Sequence, residues 1–257
     1  MVEATSDERH AVLTGPLPLD WTRVKQQSQA APVRYLWDVA DFDTTEDELV
    51  IVGTAGEKIT HMGHDFSEHC NPKLKRLVLR SHMIKSMEGL SKFEELELLE
   101  LYDNMVEELQ ALDEGSNGSP GISLKVLDMS YNSIRDMIPV KLCPNLTELY
   151  LANNKLKKIE GIWGLKQLKK LDLGANRIRV MPAEELSGLV NLQELWLGKN
   201  KIEKIEGLEE VRASQFAVRH WVQHSLPLFR GLGLDFLGTQ LQFLLTHHRF
   251  ELNNVFF

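Results

Sequence analysis

The sequence predicts an α/β solenoid: a curved horseshoe with a parallel β-ribbon on its concave face and 3₁₀ or short helical turns on its convex face. Three observations carry that prediction. The frame L-x-x-L-x-L-x-x-N-x-I recurs six times, its first leucines are spaced 22, 28, 22, 22 and 24 residues, and Asn fills the N position in five of the six copies. Self-similarity at a fixed short period marks a chain of stacked structural repeats.

The copies begin at Leu74, Leu96, Leu124, Leu146, Leu168 and Leu192. In the core of each, such as Leu77-Val78-Leu79 or Leu171-Asp172-Leu173, an extended chain points alternate side chains to opposite faces. The leucines turn inward and the residue between them outward. One strand cannot bury its leucine face alone, whereas stacked neighbours can, which is the logic of a leucine-rich-repeat solenoid. Asn104, Asn132, Asn154, Asn176 and Asn200 stand in the turns after the strands, where a carboxamide satisfies backbone groups otherwise buried unpaired. They are read as structural. His82 holds that place in the first copy and is read as a break in the series.

The return segments follow from the spacings. In the 22-residue copies, a short return with internal glycine, as in Ile159 to Leu165, suits a single 3₁₀ turn. The 24-residue copy carries Pro182-Ala183-Glu184-Glu185-Leu186, with Pro at a helix start and acids in the first turn, and predicts a short α-helix. The 28-residue copy contains Asp113 to Gly121, rich in Gly and Ser, read as a surface loop inserted on the return side.

Residues 74–213 thus hold six repeats. Before them, Leu49, Val52, Ile59 and Met62 fall in phase, with Thr54 at a core position and Glu57 at the Asn position, so residues 49–73 are read as a degenerate capping repeat. Residues 1–48 are polar with scattered aromatics (Trp21, Tyr35, Trp37, Phe42) and read as an acidic, flexible leader that the aromatics can pin to the solenoid end. Past residue 213 the frame fails, with Ser214, Ala217, Arg219 and Val222 where three Leu and an Asn belong. Residues 214–257 form a non-repeat tail with weak helical patterns around 209–224 and 235–248. A helical cap over the open core and an aberrant sequence, such as read-through of a splice boundary, both fit.

Composition bounds the function. The 257 residues are 43% hydrophobic and 26% charged with a formal net charge of −8, too apolar for disorder throughout. Two cysteines cannot supply the disulfide framework of a secreted domain. The acidic balance argues against broad coating of nucleic acid or anionic lipid, so neither nucleic acid nor membrane is expected as a direct partner. Residues 1–73 hold 6 basic and 13 acidic residues, residues 74–213 hold 20 and 22, and residues 214–257 hold 3 and 2, so most of the excess is in the leader. Acids stand at the N-terminus where a signal peptide needs a basic region and an apolar run. No stretch reaches the roughly 18 apolar residues of a membrane span. The expected location is the nucleus, the cytoplasm or both, and not the secretory route.

Catalytic signals are sparse. His61, His64, His69 and Cys70, with Asp65 and Glu68 between them, make a metal site on paper, but their spacing is not that of a regular ligand set. His220 and His224 have helical i, i+4 spacing without the Glu of H-E-x-x-H. No phosphate loop, dinucleotide fingerprint or nucleophile elbow occurs. The expectation is a non-enzyme with no catalytic residues, cofactor or metal, monomeric apart from its partner.

What remains is the open face of the ribbon. The residues between the paired core positions are Val78, Glu100, Asp128, Tyr150, Asp172 and Trp196, flanked by Tyr102, Glu148, Glu194 and a basic exception, Lys170. Carboxylates interleaved with large aromatics predict a protein interface, since Trp and Tyr supply contact area and acids steer a basic partner.

Leu149-Tyr150-Leu151-Ala152-Asn153-Asn154-Lys155, Leu171-Asp172-Leu173-Gly174-Ala175-Asn176 and Leu195-Trp196-Leu197-Gly198-Lys199-Asn200, with Leu101-Tyr102-Asp103-Asn104 and the recurrent Ile159-Glu160-Gly161 and Ile205-Glu206-Gly207, closely resemble repeats of the protein phosphatase 1 regulatory subunit 7 family. The resemblance covers residues 74–213 and implies a non-enzymatic nuclear and cytosolic solenoid. Its implied partner is the phosphatase catalytic subunit, bound on the concave face through Glu100, Asp128, Tyr150, Asp172 and Trp196. The family has more repeats, and its later contacts and C-terminal cap fall where this chain has its unrelated tail. Arg23-Val24-Lys25-Gln26 begins like the R-V-x-F docking pattern of other phosphatase partners but lacks the aromatic. Two alternatives stay open: another intracellular leucine-rich-repeat adaptor of the spliceosome or axonemal dynein arm, and, more remotely, a metal-dependent hydrolase using the His-rich segments.

Overall fold

The computed structural model describes residues 33–38, 45–90, 93–112 and 120–203. The inserted loop at 113–119, the last repeat beyond residue 203, the tail at 214–257 with its weak helical patterns, and most of the leader lie outside the described residues.

Among the described residues, seven strands form one sheet in chain order with every pair parallel. They are β1 (Glu48–Val52), β2 (Arg76–Arg80), β3 (Leu98–Glu100), β4 (Val126–Asp128), β5 (Glu148–Tyr150), β6 (Lys170–Asp172) and β7 (Glu194–Trp196). Their registers align the frame leucines in one row, Leu77, Leu99, Leu127, Leu149, Leu171 and Leu195, each 0% exposed. Burying one such leucine is worth about 1.5–3 kcal/mol, which a single repeat cannot secure without stacked neighbours. A single core runs from Leu36 and Leu49 to Leu197.

The asparagines form a ladder between repeats. Each Oδ1 accepts a backbone N–H of the preceding repeat: Ile84 to Asn104 at 3.1 Å, Val106 to Asn132 at 2.8 Å, Ile134 to Asn154 at 2.9 Å, Leu156 to Asn176 and Ile178 to Asn200 at 3.0 Å. Each Nδ2 donates back to a backbone carbonyl at or just after the strand of that repeat, Asn154 to Met129 O at 2.9 Å for example. The residue before each rung has a left-handed backbone, from Ser81 at φ 57° through Asp103, Tyr131, Asn153 and Ala175 to Lys199 at φ 56°. His82 corrects the reading of a broken series. Its Nδ1 accepts the Ile59 N–H at 3.1 Å and its Nε2 lies 3.3 Å from Ile51 O, so the ring serves as a rung.

The phase of the degenerate copy also needs correction. Register pairs Leu49 with Leu77 and Ile51 with Leu79, three residues ahead of the predicted frame. Val52 is 56% exposed on the opposite face, and Thr54 and Glu57 are exposed rather than core and rung. Extra residues in the turn then restore the phase, with Ile59 and Met62 fully buried. Upstream, Leu36 is 0% exposed against this end of the core, held by Thr60 N and His61 N donating to Arg34 O.

On the return side, 3₁₀ turns stand at Phe66–Glu68, Gln110–Leu112 and Ile138–Leu142, and the predicted short helix forms as α1 (Ala183–Ser187). The Ile159 to Leu165 segment makes hydrogen-bonded turns instead of the predicted 3₁₀ helix. Gly161 explains the difference: its φ is +83°, and a Cβ there would sit 2.7 Å from Ile138 O, so the chain folds tightly against the preceding repeat.

Candidate protein-binding face

The strand registers place Glu100, Asp128, Tyr150, Asp172 and Trp196 opposite one another in an unbroken row across β3 to β7. Neighbours in the row are about 4.8 Å apart. Val78 begins the row on β2 but is 5% exposed. On one side runs Leu98, Val126, Glu148, Lys170 and Glu194; on the other run Tyr102, Ser130, Ala152, Gly174 and Gly198. The second flank shrinks towards the C-terminal repeats, and Asp128, Tyr150, Asp172 and Trp196 are all half-exposed.

The five side chains are not equivalent. Glu100 is the most committed, its carboxylate engaged by Arg80 through Nε and, at 2.9 Å, through Nη2. Its side chain is 11% exposed against 52% for Arg80, so the arginine covers the acid and raises its own pKa through this pairing. Arg80 sits diagonally across from Glu100, two residues beyond Val78 on the same face. That spacing is visible in the sequence and was the signal that would have identified the pair.

Asp128 and Asp172 share a second pattern. Asp128 Oδ1 accepts Ser130 N–H at 2.9 Å, and Asp172 Oδ1 accepts Gly174 N–H at 2.8 Å. Each carboxylate therefore closes its own turn with one oxygen. Burial pushes both pKa values up despite these bonds. A desolvated carboxylate is poised to gain from a cationic partner.

Tyr150 donates its hydroxyl to Glu148 Oε2 at 2.6 Å, and Lys170 Nζ contacts Glu148 Oε1 at 3.0 Å. Burial alone would raise the Glu148 pKa, but the Tyr150 and Lys170 hydrogen bonds and the lysine charges outweigh it and hold the acid low. Burial and this anion together raise the Tyr150 pKa. The tyrosine ring is thereby fixed over the ribbon. Next to it on the face, Tyr102 and Tyr131 pack with ring centroids 5.0 Å apart, a contact between a strand flank and a turn that repeat spacing did not reveal.

The His-rich segment is dispersed. His69 faces Asp65 at 3.6 Å while His64 faces Glu88 at 4.0 Å, and Cys70 is buried with its thiol pKa pushed up to about 12 by desolvation. Among the described residues no three His, Cys, Asp or Glu side chains converge to hold a metal ion. Among them, too, no helix is long and apolar enough to cross a membrane.

Comparison with known proteins gives the same architecture. Leucine rich repeat families match residues 144–202 and, as a two-copy unit, residues 122–162. The chain is 37% identical over 114 residues to an Arabidopsis thaliana protein phosphatase 1 regulatory inhibitor subunit PPP1R7 homolog, a match spanning 42% of this chain and 33% of that protein. It is 31% identical over 108 residues to the Arabidopsis thaliana 187-kDa microtubule-associated protein AIR9, spanning 40% of this chain and 6% of that one. The chain thus spans a third or less of the length of these curated relatives. Among solved structures, a Leptospira interrogans LRR protein superposes with a TM-score of 0.55 at 26% identity, covering 64% of this chain and 40% of that one. Internalin C2 of Listeria monocytogenes shares the fold with a TM-score of 0.54 at 24% identity, covering 64% and 67%. The chain is a leucine-rich-repeat protein whose repeats are similar to those of the protein phosphatase 1 regulatory subunit 7 family.

Proposed function

We propose that the chain is a non-catalytic regulatory scaffold that docks the catalytic subunit of a protein phosphatase 1-type serine/threonine phosphatase on the strand face, in the nucleus, the cytoplasm or both. The observation that carries this reading is the in-register row Glu100, Asp128, Tyr150, Asp172 and Trp196, acids and aromatics presented by five adjacent strands. It is supported by the similarity of the repeats to the plant regulatory-subunit homolog. The local chemistry ranks the contacts. Arg80 already neutralises Glu100, so recognition rests on Tyr150, Asp172 and Trp196, where aromatic surface flanks a desolvated carboxylate.

Docking of this kind acts by covering or relocating the enzyme, and needs no reactive group on the scaffold. The test is retention of a recombinant phosphatase catalytic subunit on the immobilised full chain. Trp196→Ala and Tyr150→Ala are each expected to lower retention about tenfold or more. Retention unchanged by both substitutions would exclude the strand face.

A further inference from the structure

The repeat stacks equivalent positions of neighbouring repeats, and over much of the surface the stacked charges are of opposite sign. Asp47 meets Lys75 at 3.3 Å, Glu97 meets Lys125 at 2.7 Å, Glu107 meets Arg135 at 3.0 Å and Glu203 meets Arg179 at 2.6 Å. The column of Glu107 and Glu203 also holds Arg135, Lys157 and Arg179 in succession, and the position just after the ladder asparagine carries no acid in any of the five repeats. Lys155, Arg177 and Lys201 occupy it in three consecutive repeats. Their backbones are tied to the preceding repeat alike, by Lys155 N to Ile134 O, Arg177 N to Leu156 O and Lys201 N to Ile178 O.

The three cations therefore stand in a column with steps of about 4.8 Å. Arg177 and Lys201 are exposed, and the half-buried Lys155 sends Nζ to Ser133 Oγ at 2.9 Å. Exposed Lys157 and Lys199 border the column. Among the described residues none of Lys157, Arg177, Lys199 and Lys201 is ion-paired with a carboxylate. Like charges stacked in adjacent repeats oppose folding, and Glu107 and Glu203 show that the neighbouring column accommodates compensating acids.

We propose that this basic strip, on the turn edge beside the strand face, is a second docking surface that takes a short acidic segment of a partner polypeptide in extended conformation. An extended chain presents same-side carboxylates about 6.7 Å apart, within reach of long Lys and Arg side chains stacked at the strand spacing. The strip is short, two strand steps or about 10 Å from end to end, and the adjoining face carries Asp172 and Glu194. A duplex or a bilayer is a broad polyanion that would meet those carboxylates and the net charge of −8. A single peptide strand would not. The surface is separate from the strand-face row and does not rest on the phosphatase reading.

The test is fluorescence anisotropy of a labelled oligoglutamate peptide with the full chain, titrated at low and at physiological salt. Saturable binding that weakens as salt rises is expected, with a loss of about tenfold or more in the triple variant Lys155→Gln, Arg177→Gln, Lys201→Gln. Circular dichroism melts accompany the binding curves, and relief of like-charge stacking is expected to leave the triple variant at least as stable as the wild type. Arg177→Glu alone, a smaller perturbation of the fold, is expected to weaken binding in the same direction. Equal affinity of wild type and variants overturns the proposal. So does failure of the peptide to bind at low salt, or tighter binding of a single-stranded DNA oligonucleotide or phosphatidylserine vesicles than of the peptide.

Discussion

His82 Nδ1 accepts the Ile59 N–H at 3.1 Å, so an imidazole performs at the first full repeat what asparagine carboxamides perform at the next five. The bond requires an unprotonated Nδ1, and with Nε2 3.3 Å from Ile51 O the ring is fixed as the neutral Nε2–H tautomer. The ring is 3% exposed.

That arrangement makes the N-terminal end of the solenoid acid-sensitive. Burial, reinforced by the Lys58 charge, lowers the His82 pKa despite its bond to Ile51. The unfolded chain then binds the proton more readily than the folded one, so this contribution is complete above the ordinary imidazole value of about 6.5 and is lost as pH falls towards the lowered folded value. Thermal melts between pH 8 and 5 should show a falling midpoint for the wild type and a smaller fall for His82→Asn, which restores a rung that does not titrate. Equal slopes for the two proteins would remove His82 as the cause.

Asn154 is a buried rung in the middle of the ladder, with its carboxamide bonded to Ile134 N, Met129 O and Leu151 O. Asn154→Ala leaves the Ile134 N–H and the Met129 carbonyl without that partner. The expected cost is about 2–4 kcal/mol in urea unfolding, since a buried unsatisfied backbone group costs about 1–3 kcal/mol. Asn200→Ala, at a half-buried rung, should cost less.

The ladder and the leucine rows were legible because both follow from one constraint repeated at one spacing: every strand must bury the same face and every turn must satisfy the same backbone groups. What failed was local. Leu49 and Ile51 form the inward pair of β1, but a longer turn before Ile59 shifts their phase, and a frame fitted through Ile59 and Met62 lands on Val52 and Thr54. His82 looked foreign because the frame names a residue type, whereas the fold demands an acceptor and a donor. At the candidate face, the frame located the outward row but not the state of its charges. The Arg80 clamp on Glu100 depends on a diagonal between strands, and the bonds from Asp128 and Asp172 to their own turns depend on backbone direction after the strand.

Ala175 precedes a rung with φ 52°, a conformation that costs an L-residue roughly 1–2 kcal/mol. Ala175→Gly relieves that strain, partly offset by the greater freedom of glycine in the unfolded chain. The expected net gain is about 0.5–1 kcal/mol, read from denaturant midpoints. Ala175→Val should destabilise, because a β-branched side chain tolerates this conformation least. A loss of stability in the glycine variant would show that the alanine methyl makes contacts worth more than the strain.

Asp172 sets fold against binding. Its Oδ1 closes the turn by accepting Gly174 N–H, while burial works against its charge and raises its pKa. With the folded pKa above the unfolded one, the ionised group costs stability as pH rises through the carboxylate range, and at neutral pH that cost is fully present. Asp172→Asn keeps an acceptor oxygen for Gly174 and deletes the charge, so its melting midpoint at pH 7 should equal or exceed that of the wild type. If the carboxylate recognises a cationic partner between Tyr150 and Trp196, the same substitution lowers phosphatase retention. A more stable variant that binds less separates the two roles, since a merely structural aspartate would lose stability and binding together. Unchanged retention with raised stability would instead leave recognition to the aromatics alone.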